Sequence, residues 1–183
     1  MVAVAQNRLT YNQPFRGMQS DLIGPLQVRE FVNARGSRKV WILSCICHFS
    51  RYISLTLVES LSKESILNAF KMHALRYGES QQIETDFGTN FSSTRETLQE
   101  GDVISEDDVK KITQTLKSEG VHLVQRVPKA PWIQGSIERA NSVIKKIMPG
   151  KKMTVFQLAL LIENITFHIN RRPIGCSTTL DSI

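Results

Sequence analysis

Apolar residues recur along this chain at two periods, and the change from one to the other marks its elements. Short blocks rich in Val, Ile, Leu and Trp occupy Phe15 to Ile23, Arg38 to Cys47 and Arg51 to Val58. They predict three strands, the first ending at Gly24-Pro25. Cys47-His48-Phe49-Ser50 leaves room only for a tight turn, so the second and third strands should pair antiparallel and the sheet should begin as a meander. From Ser62 the period lengthens. Ile66, Leu67, Phe70, His73, Ala74 and Tyr77 recur at helical spacing, Ser62 is a suitable cap, Glu64 lies in the first turn, and Gly78 stops the helix.

Gln81 to Thr85 is short and β-prone and reads as a fourth strand, with a turn at Gly88 after Asp86. Ser92 to Ser105 has weak periodicity and reads as a short helix or loop. Ser105 followed by Glu106, Asp107 and Asp108 is a helix start with acids on the positive end of the dipole, and Val109, Ile112 and Leu116 supply its stripe up to Gly120. Val121 to Gln125 is the fifth strand. Val127 to Ser136 holds Pro128, Pro131 and Gly135 and reads as a loop. In the helix that follows, Ile137, Ala140, Val143, Ile144, Ile147 and Met148 cover one face, while Glu138, Asn141, Ser142 and Lys145 project together beside it. Pro149-Gly150 breaks that helix. Val155, Leu158, Ala159, Ile162, Ile165 and Ile169 mark another, ending near Asn170-Arg171-Arg172-Pro173. This order predicts an α/β, ribonuclease H-like fold: a five-stranded mixed sheet flanked by helices.

With 183 residues, 41% of them hydrophobic, the chain can close one core, so a single domain is the default. Its 23 Lys and Arg exceed its 17 Asp and Glu by six, which suits a polyanionic partner without requiring one. The excess is local: Arg126 to Lys152 holds seven basic residues against the one acid Glu138, whereas Ser92 to Glu119 holds four basic and seven acidic residues.

Three cysteines (Cys45, Cys47, Cys176) make no disulfide framework. Without a Cys-x-x-Cys, and with His48, His73, His122 and His168 scattered, no structural zinc is expected, and the histidines should be at the surface or half-buried. The amino terminus lacks a signal pattern, and the apolar stretch Val155 to Ile165 is interrupted by Gln157 and Glu163, so the reading is a soluble chain without a membrane partner. Met1 to Tyr11 has no clear period and Asp181-Ser182-Ile183 carries no stop signal, which reads as a piece of a longer polypeptide.

Three acids sit where a strand ends or a helix begins: Asp21 in Ser-Asp-Leu-Ile-Gly-Pro, Asp86 in Glu-Thr-Asp-Phe-Gly-Thr-Asn-Phe, and Glu138 in Gln-Gly-Ser-Ile-Glu-Arg-Ala-Asn. Open α/β sheets place their ligands at such strand ends. Magnesium and manganese prefer oxygen ligands and keep several waters, so converging carboxylates can hold a pair of them. The competing reading of each acid is a strand-end or helix-start residue satisfied by backbone donors.

Between Pro14 and Pro173 the sequence resembles the catalytic core of retroviral and retrotransposon integrases, most closely the BEL/Pao type. The resemblance rests on Pro14-Phe15 through Asp21-Leu22-Ile23-Gly24-Pro25-Leu26, on Thr85-Asp86-Phe87-Gly88-Thr89-Asn90-Phe91, on Pro131-x-x-Gln134-Gly135-x-x-Glu138-Arg139-x-Asn141-x-x-x-Lys145, and on Asn170-Arg171-Arg172-Pro173. Ser50-Arg51 resembles a family turn. The family usually has Asn in place of Phe87, and the 51 residues between Asp86 and Glu138 exceed the usual retroviral spacing. The insertion falls in Ser92 to Ser105, where added loop length costs little.

The resemblance implies a polynucleotidyl transferase of the DDE type that trims the 3′ end of element DNA and joins it to target DNA. Asp21, Asp86 and Glu138 would be the catalytic residues and the ligands of two Mg2+ or Mn2+ ions, Asp21 shared between them. Lys129, Gln134, Asn141 and Lys145 would contact DNA, since amide and ammonium donors suit phosphates and base edges; a solvated helix face is the competing reading. Trp132 belongs to the same approach loop and could equally pack on the core. Element-end DNA, target DNA and a second copy in a homodimer or larger oligomer are the implied partners. The implied location is the nucleus, after a cytoplasmic phase. Residues 1–13 would be an extension, 14–173 the core and 174–183 a tail, with weak strand transfer by this chain alone. Two rivals stay open: a catalytically silent DNA-binding or dimerisation module, and a ribonuclease H-like or Holliday-junction nuclease.

Overall fold

The computed structural model describes residues 13–32, 35–85, 104–125, 131–148 and 153–171. A mixed sheet forms its centre, with strands β1 (Gly17–Arg29), β2 (Arg38–Cys47), β3 (Ile53–Val58), β4 (Gln82–Thr85), β5 (His122–Gln125) and β6 (Met153–Thr154). The order is β3-β2-β1-β4-β5, and β6 pairs with the far end of β1. β1, β2 and β3 are antiparallel neighbours, as the tight turn after Cys47 requires. β4 lies parallel to β1, and β5 parallel to β4. The helices are α1 (Lys63–Tyr77), α2 (Glu106–Ser118), α3 (Pro131–Ile147) and α4 (Val155–Asn170).

Strand alternation splits the apolar residues between the two faces. On one, Met18, Leu43, Val58 and Ile83 meet Ile66 and Phe70 of α1 and Ile112 and Leu116 of α2. On the other, Ile23, Ile42, Ile46 and Leu55 meet Ile137 and Ile144 of α3 and Leu158 and Ile162 of α4. Full burial of each such side chain contributes about 1.5–3 kcal/mol.

Local chemistry fixes the helix starts. Ser62 accepts a hydrogen bond from the Ser65 amide, Ser105 from the Asp108 amide, and Thr154 forms a reciprocal capping box with Gln157. At the other end of α4, Asn170 accepts from the Ile53 amide and donates to the Ile53 carbonyl, both at 2.8 Å, which brackets the helix to β3. The asparagine of the Asn-Arg-Arg-Pro stretch therefore has a structural task.

Several expectations change. β1 does not stop at Gly24-Pro25 but runs to Arg29: its register against β2 shifts between Ile23 and Leu26, so Pro25, which has no N–H, falls at the irregularity where no ladder bond is required. Gly24 is needed there because a Cβ would run into the Trp41 indole. A sixth strand adds to the expected five. α3 begins at Pro131, inside the segment read as a loop, because proline suits the first turn of a helix, where its missing N–H has no partner to lose. On α3 the buried stripe is Ile137, Ala140, Asn141 and Ile144, while Val143 and Ile147 are exposed. Two histidines read as surface or half-buried, His48 and His73, are buried. The readings on Asp86 to Val103, on residues 126–130 and on both termini lie outside the described residues.

Candidate active site

Asp21 is placed by β1. It stands opposite Ser44 of β2, one residue after Ser20, and Ser20 stands opposite Thr85 in the parallel register with β4. Thr85 is the residue that precedes Asp86 in the chain. The half-buried Asp21 carboxylate accepts two hydrogen bonds: Oδ1 from the Leu22 amide at 2.8 Å and Oδ2 from Asn141 Nδ2 at 2.7 Å. The second crosses from sheet to helix over 120 residues of chain and is short enough to be charge-assisted. It pins α3 over β1 and fixes which way the carboxylate points.

Asn141 is only 4% exposed. Glu138, three residues earlier on α3, is exposed, and so is Lys145, four residues later. Residues three and four apart share a helix surface, so these three form one stripe whose centre is anchored on Asp21. Gln134 lies on the first turns of the same helix. Asp86 and Lys129 lie outside the described residues. The structure thus brings Asn141 to Asp21 and puts Glu138 and Lys145 on the same stripe. Among the described residues no cluster of three or more His, Cys, Asp or Glu is close enough to hold a metal.

Buried polar atoms normally find partners. On the face that carries Asp21 two do not among the described residues: Ser44 Oγ, on the residue paired with Asp21, and Asn141 Oδ1, on the residue bonded to it. Buried oxygen atoms beside a carboxylate fit a hydrated divalent cation, which takes oxygen ligands directly or through its waters.

The sequence reading did not single out Gln19, Glu84 and His48. All three are buried polar residues on the α3 side of the sheet. Gln19 and Glu84 had a signal: each stands two residues before an acid of the triple, and strand side chains two apart share a face. Cys45, on the opposite face of the sheet, is inert, because burial pushes its thiol pKa up.

No protein-family model and no curated protein matches the sequence. Solved structures do match. One is the simian T-cell lymphotropic virus intasome in complex with PP2A regulatory subunit B56 gamma, at TM-score 0.59 and 15% identity, covering 91% of this chain and 52% of that one, so this chain spans about half of its length. Another is the HTLV-2 integrase catalytic core domain in complex with magnesium in its trimeric form, at TM-score 0.55 and 16% identity over 91% of this chain and 92% of that one. The dimeric form matches at TM-score 0.55 and 16% identity over 88% and 90%. The fold is that of an integrase catalytic core, a ribonuclease H-like architecture.

Proposed function

We propose that this chain is the catalytic core of a retroelement integrase, of the BEL/Pao type, which processes 3′ ends of element DNA and joins them to target DNA by phosphoryl transfer. The observation that carries this reading is the hydrogen bond from Asn141 to Asp21. It holds the stripe bearing Glu138 against the strand bearing Asp21, beside the strand that leads into Asp86. Asp21, Asp86 and Glu138 are the residues that would hold Mg2+ or Mn2+. When bound, a pair of such ions activates the attacking oxygen and stabilises the leaving one in an in-line displacement at phosphorus.

The chain's own groups do the rest. Asn141 keeps the Asp21 carboxylate aimed and spares it from searching rotamers. Lys145, exposed on the same stripe, offers an ammonium to the phosphate backbone, with Gln134 and Lys129 as further donors. The basic excess of Arg126 to Lys152 attracts DNA to this helix. On α4, Phe156, Leu160 and Phe167 are exposed along one stripe, an apolar surface that favours a second copy as partner. No described helix is long and apolar enough to cross a membrane. We place the working form in the nucleus, after a cytoplasmic phase, with residues 14–173 as the core between an extension and a tail.

The test is metal-dependent disintegration of a branched DNA by this chain and strand transfer by a longer protein that contains it. Asp21→Asn, Asp86→Asn and Glu138→Gln should each abolish turnover while DNA binding persists. Equal activity in all four proteins rejects the assignment; DNA binding with no turnover in wild type assigns the chain to a silent DNA-binding module instead.

A further inference from the structure

One step along the sheet from Asp21, on the same α3 side, the side chains are polar. Gln19 and Glu84 stand opposite each other in the β1–β4 register, 5% and 6% exposed. His48, the residue after β2, is 5% exposed, and its Nε2 lies 3.7 Å from Glu84 Oε2. β1 lies between the strands that carry these two groups. The β1 residue at the crossing point is Gly17, whose carbonyl accepts the His48 amide hydrogen at 3.0 Å. Gly17 has no side chain, so β1 presents none beside the imidazole at this position.

β4 is paired in register with β1 and β5, and its α3 side is polar. It is four residues long. On its α1 and α2 side Ile83 is set in the core, but on its α3 side it presents Gln82 and Glu84, and no described residue of β4 belongs to the apolar cluster there. A contact between two buried polar groups is costly to break from one side, so it tolerates few arrangements. The ladders to β1 and β5 set the register of β4, and this pair adds a side-chain restraint on the α3 side.

We propose that His48 and Glu84 form a positioning latch across Gly17 that holds β4, the strand that leads into Asp86, against β1, the strand that carries Asp21. The inference rests on the two-metal reading above and names the residues that hold its geometry. Neither group touches substrate, so both are positioning residues. Partners that orient metal ligands are typically worth 10- to 100-fold in metal affinity.

The experiment follows Mn2+ binding by titration calorimetry, hydrogen exchange of β4 amides, and thermal melting for wild type, His48→Phe, Glu84→Leu, the double variant and Glu84→Gln. Each of the first two should weaken Mn2+ binding roughly 10- to 100-fold and speed exchange in β4 but not in β2. The double variant should lose no more than the worse single one, because both break the same contact. Glu84→Gln, which keeps size and an acceptor, should fall closer to wild type. Where Glu84→Leu does not fold, Gly17→Ala serves: it leaves both polar groups in place and adds a methyl to β1 beside His48, and should weaken Mn2+ binding likewise. Unchanged Mn2+ affinity in folded variants, faster β4 exchange without a change in affinity, or additive losses in the double variant would each overturn the latch. Failure of wild type to take up Mn2+ would sink the two-metal reading, and the latch with it; uptake by wild type matched by the variants sinks the latch alone.

Discussion

On the side of the sheet covered by α1 and α2, apolar packing extends from β3 to β5, through Val58, Leu43, Met18, Ile83 and Leu123. On the side covered by α3 and α4 it extends over β3, β2 and β1 and goes no further among the described residues: next come Gln19, Glu84 and, one row on, Asp21 with Asn141. The two faces divide the labour. An apolar face supplies most of the free energy. A face of buried polar groups supplies little net free energy, since hydrogen bonds gained are offset by desolvation, but it admits few geometries and can therefore hold a site.

The sharpest way to break this comparison is to remove function and stability separately. Asp21→Asn should cost activity by roughly 10²-fold or more, the scale of losing one charge-stabilising contact at a reacting centre. Its melting temperature should fall less than that of a core truncation, since the isosteric amide keeps one acceptor, for Asn141, and loses the other, which takes the Leu22 amide hydrogen. Ile83→Ala should do the reverse. It empties a buried position on the apolar side of β4 and should cost about 2–5 kcal/mol of unfolding free energy in denaturant titration. Val124→Ala, on the other side of neighbouring β5 and 41% exposed, should change stability by less than about 0.5 kcal/mol. Equal losses at 83 and 124 would show that the polar half of the α3 face carries hidden apolar packing.

Acid sharpens the contrast next. His73 of α1 lies on the apolar face, 1% exposed, with Nδ1 3.0 Å from Ser54 Oγ and its ring edge-on to Phe15 at 4.7 Å. Burial first, and the charge of Arg76 second, push its pKa down to about 4 from an ordinary 6.5. The unfolded chain therefore binds a proton that the folded chain refuses across this interval. His73's contribution to stability is complete above the unfolded value and falls as pH drops from 6.5 towards 4, by at most about 1.4 kcal/mol per pH unit. His73→Phe should remove that part of the slope. Unfolding titrations at pH 7 and 5 that show the same pH dependence in both proteins would contradict the assignment.

The sequence displayed the fold wherever local pattern and tertiary demand agree. β2, buried along almost its whole length, shows as a continuous apolar run, and the Ser62 and Ser105 caps announce their helices. It misled where tertiary context overrides a local rule. Pro25 reads as a strand end until the shift of register beside it is known, Pro131 reads as loop until it is seen to open α3, and β6 is too short to leave a pattern. At the candidate site, Glu138, Asn141 and Lys145 could be read as one stripe from helical spacing alone. Asn141's bond to Asp21 could not, because it depends on how α3 lies over β1. The contact of His48 with Glu84 was further from view still, since it needs the registers of three strands and the missing side chain of Gly17.

The smallest expected effect probes whether the polar and apolar halves of the α3 face are independent. Thr154 is the cap of α4: its Oγ1 accepts from the Gln157 amide at 3.2 Å, and Gln157 Oε1 accepts from the Thr154 amide at 2.9 Å. It also ends β6, opposite Arg29 at the end of β1 remote from β4. Thr154→Ala should therefore cost about 1 kcal/mol through the lost cap, and Thr154→Ser should restore it. If α4 only supports the apolar half, the denaturation midpoint moves while Mn2+ affinity and β4 exchange stay at wild-type values. A shift in either would mean that a perturbation at the tip of α4 reaches Asp21 through β1, and that the face carrying the carboxylates acts as one unit instead of two.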